Sequence, residues 1–397
     1  MRIGSTGDAY GQLRNIFGST AGFETLVSGN RVTLLHDGEQ AFPAMLKAIE
    51  AAEREILLEM YWFGSDKVGR QFAEALSSQA KAGLRVRVIY DAVGSIQSDG
   101  RMFARMRDAG CEVEQYNPIA PWRARFRIGV VNHRDHRKLL IIDRRVGFTG
   151  GINLADEWAP DSAGGGGWRD DTIRIEGPAV EQMRNIFVHA WRRIVEPGDG
   201  GKPSMPPVVE IPEEEGSRVR VLANQYFGER RAIRRAYLSR IANAKRSVSI
   251  TNSYFIPDSR IRRVLRQAAK RGVDVRVIIP GKSDLFPARY AGRRLYGRLL
   301  RGGIKLFEWQ RSILHSKTAI VDGEWCTVGT YNLDYRSWRF NLEVVAAIED
   351  AAVAGAMERR FNEDLEQAKP ISYAQWRRRP LLVRVLDRFF YLFRKML

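Results

Sequence analysis

From about residue 41 the chain alternates two patterns: apolar residues recurring every three or four positions, and short runs rich in Val, Ile and Leu. The first spacing builds helices with one buried face, and the second builds strands. Residues 42–55 are amphipathic and predict a helix, and 56–63 predict a strand. A helix over 69–82 is closed by Gly83, and Arg alternates with Val along a strand at 85–90. Asp99 caps a further helix ending at Gly110, before a short strand at 112–116. Strand, helix and strand in this order predict parallel pairings and an α/β fold class. Residues 1–29, polar and glycine-rich, predict no element.

The layout then returns. A helix over 229–244 leads to a strand at 248–252, and a helix from Asp258 closes at Gly272 before a strand at 275–279. A basic helix ending near Gly302 and Gly303 precedes a strand at 305–309. The helix exit at Lys81–Gly83 and the strand entry after it match those at Lys270–Gly272 position by position. The chain is thus read as an internal duplication, with repeats at 30–195 and 218–372. A Pro, Gly and Glu-rich linker at 196–217 joins them, an N-terminal segment (1–29) precedes them, and a basic amphipathic helix at 373–397 follows.

One stretch occurs in both repeats. His136, Lys138 and Asp143 are followed by Gly150, Gly151 and Asn153; His315, Lys317 and Asp322 are followed by Gly329, Thr330 and Asn332. Both read H-x-K-x4-D-x6-G-[GT]-x-N, and each lies in an apolar run. A single histidine in a strand is ordinarily a hydrogen-bonded core residue, but that reading would have to hold twice with a lysine at the same offset. Residues two apart in a strand share a side, so each imidazole is expected beside its ammonium at a buried sheet edge.

A phosphodiester is the substrate such groups suit. Its negative charge repels nucleophiles, and two cations with amide donors neutralise it and stabilise a five-coordinate transition state. One imidazole attacks phosphorus while the other protonates the departing alkoxide and later deprotonates the incoming hydroxyl. Asn153 and Asn332 are expected to offer amides to the phosphate, with Gly150 and Gly329 allowing a close turn. A nucleophilic imidazole also needs its second nitrogen fixed by a carboxylate. Asp170 and Glu343 open matching strands closed by Glu176 and Glu349, and they are the expected orienting pair. Asp171 rivals Asp170 on spacing, and a solvated strand-end acid is the bland alternative for each. Asp143 and Asp322, at turns after the strands, are read as structural.

Composition narrows the partners. Lys+Arg 64 against Asp+Glu 46 gives a net charge of +18, which points to an acidic lipid surface, nucleic acid or a phosphorylated substrate. Cys111 and Cys326 read as core thiols of a reducing compartment. With the scattered His36, His133 and His189 they match no usual metal-ligand spacing, so no metal and no cofactor is expected. No uncharged run reaches the roughly 18 residues a membrane span needs; a soluble or membrane-surface protein is expected.

The doubled motif resembles that of the phospholipase D superfamily. The block from Thr330 to Ser337 with Asn341 and Glu343, the run Ser253–Asp258, the run Pro280–Asp284, and Trp168-Arg169-Asp170 with Gly177-Pro178 are similar to bacterial cardiolipin synthases. The likeness runs from about residue 30 across nearly the whole chain. It implies two tandem α-β-α repeats related by pseudo-twofold symmetry, with one active site at their interface lined by the motif His, Lys and Asn residues. It also implies a phosphohistidine intermediate, metal independence, and transfer of a phosphatidyl group between two phosphatidylglycerols with release of glycerol. Spacing does not fix which imidazole attacks; His136 is taken as the nucleophile and His315 as the acid/base. Many members of that family begin with membrane-spanning helices and this chain does not, so membrane contact is expected elsewhere.

The C-terminus supplies a candidate. After Arg377–Arg379 and Pro380, helical spacing puts Leu381, Leu382, Val385, Leu386, Phe389, Leu392, Phe393 and Met396 on one face. Arg384, Asp387, Arg388, Arg394 and Lys395 fall on the other. Such a helix can lie in an anionic lipid interface at the cytoplasmic side of the cell membrane; packing on the protein's own core or on another copy is the alternative. Arg293, Arg294, Arg298 and Arg301 on the preceding basic helix add to the attraction or form a solvated face. The expected activity is a peripheral phosphatidyltransferase using phosphatidylglycerol or a related anionic phospholipid. A hydrolytic phospholipase D, a nuclease of the same chemistry and a non-catalytic binding protein are the alternatives. Intact motifs in both halves disfavour the last, and the amphipathic terminus disfavours nucleic acid.

Overall fold

Fifteen strands hydrogen-bond into one mixed sheet in this computed structural model, which describes residues 26–119, 132–195, 216–224 and 231–396. The first half contributes β1 (Val27–His36), β2 (Glu55–Met60), β3 (Arg85–Asp91), β4 (Glu112–Tyr116), β5 (Leu139–Ile142), β6 (Val146–Gly150) and β7 (Asp171–Glu176). The second contributes β8 (Ser217–Asn224), β9 (Ser247–Asn252), β10 (Asp274–Pro280), β11 (Lys305–Trp309), β12 (Lys317–Val321), β13 (Trp325–Gly329) and β14 (Glu343–Glu349), and β15 (Ala368–Pro370) edges it. Outward from the antiparallel β1–β8 junction the order is β1-β7-β6-β5-β2-β3-β4 on one side and β8-β14-β13-β12-β9-β10-β11 on the other. The two lists correspond strand for strand, and the duplication is therefore a property of the fold.

Parallel pairing of the named strands is confined to β2-β3-β4 and β9-β10-β11, where each strand is joined to its neighbour in the sheet by a helix of two turns or more. These are helices Lys67–Lys81, Gly100–Asp108, Ser259–Lys270 and Phe286–Leu300. Asp66, Asp99 and Asp258 start three of them by accepting a backbone N–H from the first turn. The outer helices of each half cover a core of their own, around Phe72 and Leu76 in one and Leu265 and Leu295 in the other. A third core draws on both halves, joining Ile173 and Ile175 of β7 to Val344, Ala346 and Ile348 of β14. Helices Ala179–Val195 and Ala351–Glu366 close it with Phe187, Trp191, Met357 and Phe361. The two repeats share an interior and bury their apolar faces together.

Three expectations change. The first helix is Asp37–Glu50 and starts before residue 42. The two junction strands lie where the composition suggested none: β1 begins within the segment read as featureless, where Gly29 and Asn30 interrupt the apolar alternation, and β8 takes in Ser217 from the linker. The helix expected over 229–244 spans Ala232–Asn243, and positions 229 and 230 lie outside the described residues.

Candidate active site

Strands β5 and β12 are buried along their whole length, each flanked by two neighbours. Whatever precedes them emerges at the end of interior strands, in the middle of the molecule and not at a side edge of the sheet. β5 begins at Leu139 and β12 at Lys317, so His136, Lys138 and His315 lie in the extended segments leading in. Those segments pair with the opposite repeat instead of continuing the ladder. His136 N–H donates to Leu342 O (3.0 Å), and Leu342 N–H donates to Arg134 O (2.9 Å). The same exchange links Arg169 N–H to Ile313 O (2.9 Å) and His315 N–H to Arg169 O (2.8 Å).

Each motif histidine is thereby fastened beside the carboxylate of the other repeat. His136 Nδ1 lies 3.0 Å from Glu343 Oε2, and His315 Nδ1 lies 2.7 Å from Asp170 Oδ2. With Nδ1 engaged, Nε2 is the nitrogen left to meet a substrate. Asp171, the rival on spacing, faces elsewhere: it accepts from Ser316 Oγ (2.6 Å) and pairs with Arg169 and His36. Both orienting carboxylates are fully buried and held further. Trp158 Nε1–H donates to Asp170 (2.9 Å), and Thr330 Oγ donates to Glu343 (2.5 Å). A Cβ at Gly151, the position that Thr330 holds in the second repeat, would collide with the Asp170 carboxylate.

The lysines and amides complete the set. Lys138 Nζ donates to His136 O (3.0 Å) and Lys317 Nζ to His315 O, so each ammonium is held beside its own histidine. Trp62 N–H donates to Asn153 Oδ1 (3.1 Å) and Ser253 Oγ donates to Asn332 Oδ1 (2.8 Å). With both amide oxygens occupied, the NH2 ends are the ones that serve an anion. Gly150 and Gly329 admit no side chain, since an added Cβ would strike the β7 and β14 backbones. Asp143 and Asp322 lie away from the site at positive φ (52° and 57°). Asp143 accepts the N–H groups of Glu53, Arg54 and Glu55, and Asp322 those of Lys245, Arg246 and Ser247, which holds the turns before β2 and β9.

Burial sets the protonation. It pushes His136 down to about 4, against the pull of Glu343, and it also lowers His315. Burial and then the nearby Lys317 push Lys138 down to about 7, and burial brings Lys317 down to about 8. Burial alone would raise Asp170 and Glu343, but their histidine partners more than offset it and hold both below the usual carboxylate range. The empty site thus contains two carboxylates and two closely spaced cations that an added anion would stabilise.

His136, His315, Asn153 and Asn332 line one cavity of about 420 Å3. The Tyr61 ring lies edge-on to His136 (5.0 Å) and takes Lys138 over its face (5.3 Å). Trp158 and Trp168 pack against His315 at 5.1 and 5.8 Å. Sequence reasoning missed Tyr61, Trp158 and Thr330 as site residues; only Thr330 had a visible signal, its place in the doubled motif. It also missed buried Arg169, which pairs bidentately with Asp364 of the second repeat (2.8 Å closest) beneath the His315 segment. Among the described residues no group of three His, Cys, Asp or Glu is placed to hold a metal ion.

The C-terminal helix, Leu381–Leu392, packs on Phe286–Leu300 through the side that carries Asp387, which leaves the apolar face outward. Asp387, read as a solvent-facing charge, is 0 % exposed and pairs with Arg379 (3.0 Å) and Arg293 (3.4 Å), while Phe390 and Tyr391 join the core of the second half. Leu386 is half-buried. Leu381, Leu382, Val385, Phe389, Leu392, Phe393 and Met396 face outward, flanked by exposed Arg384, Arg388 and Lys395, whereas Arg394 is half-buried. The chain end reaches the cavity that the two histidines line: Met396 lines it too, and its carbonyl accepts from Arg336 (3.2 Å). Exposed Leu285, another lining residue, and Phe286 lie beside Phe390 on the same rim. No helix among the described residues is long and apolar enough to cross a membrane.

Residues 45–191 and 237–365 match a family model described as the phospholipase D-like domain of cardiolipin synthase. The cardiolipin synthase of Geobacillus kaustophilus (strain HTA426) is 34% identical over 363 residues, 90% of this chain and 70% of that one. The major cardiolipin synthase of Bacillus subtilis (strain 168) is 34% identical over 373 residues, 90% and 73% of the two chains. Among solved structures, the phosphatidylserine synthase of Haemophilus influenzae shares the fold with a TM-score of 0.67 at 14% identity, covering 92% of this chain and 95% of that one. The polyphosphate kinase of Porphyromonas gingivalis does so at 0.58 and 15%, covering 92% and 54%.

Proposed function

The chain belongs to the cardiolipin synthases of the phospholipase D superfamily, and from that premise we propose that it joins two phosphatidylglycerol molecules into cardiolipin and releases glycerol. The observation that carries the mechanism is the crossed pairing of the two histidines, which line one cavity, with the buried carboxylates of opposite repeats behind them. The phosphodiester of the first lipid sits between Lys138, Lys317, Asn153 and Asn332, which offset its charge. His136 Nε2 attacks phosphorus; a P–N bond forms, the P–O bond to the headgroup glycerol breaks, and His315 Nε2–H protonates the departing alkoxide. The Glu343 carboxylate stabilises the positive charge that develops on the His136 ring without itself being protonated. The terminal hydroxyl of a second phosphatidylglycerol then gives its proton to His315 Nε2 and attacks phosphorus, and the P–N bond breaks. Protons balance over the cycle and no redox step occurs.

The attack is assigned to His136, which burial keeps unprotonated as a nucleophile must be; burial lowers His315 as well, so its acid role requires the negative charge of the bound phosphodiester, beside Asp170, to favour its protonated form. Access from a bilayer is supported by exposed Leu285 and Met396, which line the cavity, and by the exposed Phe286, Phe389 and Phe393 on the same two helices and the chain end. A peripheral position on the anionic inner face of the cell membrane suits that apolar surface and its flanking arginines. The test is mass spectrometry of the products formed from phosphatidylglycerol vesicles. Cardiolipin and free glycerol in equal amounts support the reading; phosphatidic acid without cardiolipin makes the protein a hydrolase, and cleavage of an oligonucleotide alone makes it a nuclease.

A further inference from the structure

Helix Phe286–Leu300, the short helix Tyr373–Arg377 and the first turns of Leu381–Leu392 enclose a groove of about 340 Å3 apart from the catalytic cavity. Seven arginines line it: Arg379, which is ion-paired, and six others, Arg294, Arg298, Arg301, Arg377, Arg384 and Arg388. Among the described residues none of the six has a carboxylate within ion-pair reach. The acid nearest in the packing, Asp387, is fully buried and taken by Arg293 and Arg379. The floor is built: Trp376 is buried against Tyr296 (5.2 Å), Arg379 lies 4.0 Å over its ring, and Arg301 donates to Gly297 O (3.2 Å). Like charges crowd closely enough that burial, Arg298 and Arg388 hold Arg294 below the ordinary arginine range.

A fold that concentrates seven arginines around one concavity, with no acid in its lining and only Arg379 among them ion-paired, leaves a field that an anion neutralises. Arginine forks suit phosphate oxygens, which accept two parallel N–H bonds from one side chain. The groove opens beside Arg384 and Arg388, on the helix whose exposed Leu381, Val385 and Phe389 would sit among acyl chains. A phosphate bound there would belong to a molecule with its tails in the same layer. We propose that this arginine groove is a second, non-catalytic lipid site that holds the phosphodiester headgroup of one anionic phospholipid. It fixes the helix on the membrane with Met396 and the cavity mouth turned to the lipid. The inference rests on the membrane side of the function proposed above, but not on the reaction.

The experiment uses the full chain and the variant Arg294→Gln/Arg298→Gln/Arg301→Gln, with the single variant Arg298→Gln at an exposed position as a milder repeat. Binding is measured to phosphatidylcholine vesicles with and without phosphatidylglycerol, and turnover on dispersed short-chain phosphatidylglycerol. The expected result is at least about a tenfold loss of phosphatidylglycerol-dependent vesicle binding, with turnover of the dispersed lipid unchanged and a smaller loss in the single variant. Equal vesicle binding by the unmodified protein and the triple variant overturns the proposal, as does a parallel loss of dispersed-lipid turnover. Inorganic phosphate forms a further arm: its failure to displace the protein from vesicles supports a lipid headgroup, and full displacement at low concentration assigns the groove to free phosphate and overturns the lipid assignment. If the unmodified protein makes no cardiolipin while the binding difference persists, the reaction reading fails and the groove stands.

Discussion

His136 Nδ1 and Glu343 Oε2 are 3.0 Å apart although 207 residues separate them in the chain, and neither has its orienting partner within its own repeat. His315 and Asp170 reproduce the relationship in the other direction at 2.7 Å. The duplicated halves exchange the carboxylate that each imidazole pairs with, so neither half holds a complete histidine–carboxylate pair.

Removing the charge while keeping the shape tests that exchange. Glu343→Gln and Asp170→Asn are each expected to fold and to lower kcat by about 10²- to 10⁴-fold, the scale on which a misdirected tautomer acts in comparable triads. Single-turnover kinetics separates them. Glu343→Gln should slow the release of glycerol from the first lipid, whereas Asp170→Asn should slow both steps that move a proton through His315. Equal wild-type rates in either variant would show that its carboxylate does not orient a reacting imidazole.

The lysines predict a pH dependence with a definite sign. With Lys138 at about 7 and Lys317 at about 8, the empty site sheds protons as pH rises through that window. A bound phosphate analogue favours the charged lysines and takes those protons back. Affinity for orthovanadate or tungstate should therefore be flat below about pH 6.5 and fall steadily above pH 8, with proton uptake on binding measurable by calorimetry in buffers of different ionisation enthalpy. The same burial makes the charged lysines a cost to folding. Lys138→Met is expected to abolish turnover while raising Tm, and a fall in Tm would count against the desolvated cation.

Arg169 supports the site from below. Its guanidinium holds Asp364 and Asp171 while its backbone carbonyl receives the His315 N–H, so it ties the final helix of the second repeat to a catalytic segment. Arg169→Met removes the closest cation from two buried carboxylates, leaving Asp364 with Arg360 at 3.8 Å and Asp171 with His36 and Ser316, and a destabilisation of about 3 kcal/mol is expected, read as a shift in the denaturant midpoint. Arg169→Lys should recover only part, since an ammonium cannot reproduce the bidentate contact with Asp364.

How much of this was readable beforehand follows from the range of the interactions. Periodicity located the outer helices and the strands they connect, because one buried face per element leaves a local imprint. The doubled spacing located His136, Lys138, His315, Lys317 and both asparagines, and the equal offsets to Glu176 and Glu349 picked out Asp170 and Glu343. Strands β1 and β8 escaped because their neighbours come from distant parts of the chain and their own sequences, with Gly29 and Asn30 or a linker border, are weakly patterned. Trp158 and Arg169 also reach the site through contacts that span 157 and 195 residues, to His315 and Asp364, which local pattern does not reveal. Asp387 was placed on the wet side of its helix because the spacing could not reveal that Arg293 and Arg379 would be waiting beneath it.

The outward apolar stripe makes a separate prediction. Leu382→Ser/Val385→Ser/Phe389→Ser removes exposed side chains that contact little of the protein. Stability should change by less than about 0.5 kcal/mol for each such surface site, while sedimentation with phosphatidylglycerol vesicles should fall several-fold. Loss of folding with retained vesicle binding would return the stripe to an internal packing role.

The most direct test of the two-imidazole account is the site of the covalent intermediate. Wild-type protein mixed with isotope-labelled phosphatidylglycerol in the presence of a chelator, quenched in alkali within one turnover, should yield a single phosphatidyl adduct that peptide mass spectrometry maps to His136. An adduct on any other residue, or a reaction that proceeds with no labelled protein at all, would contradict it.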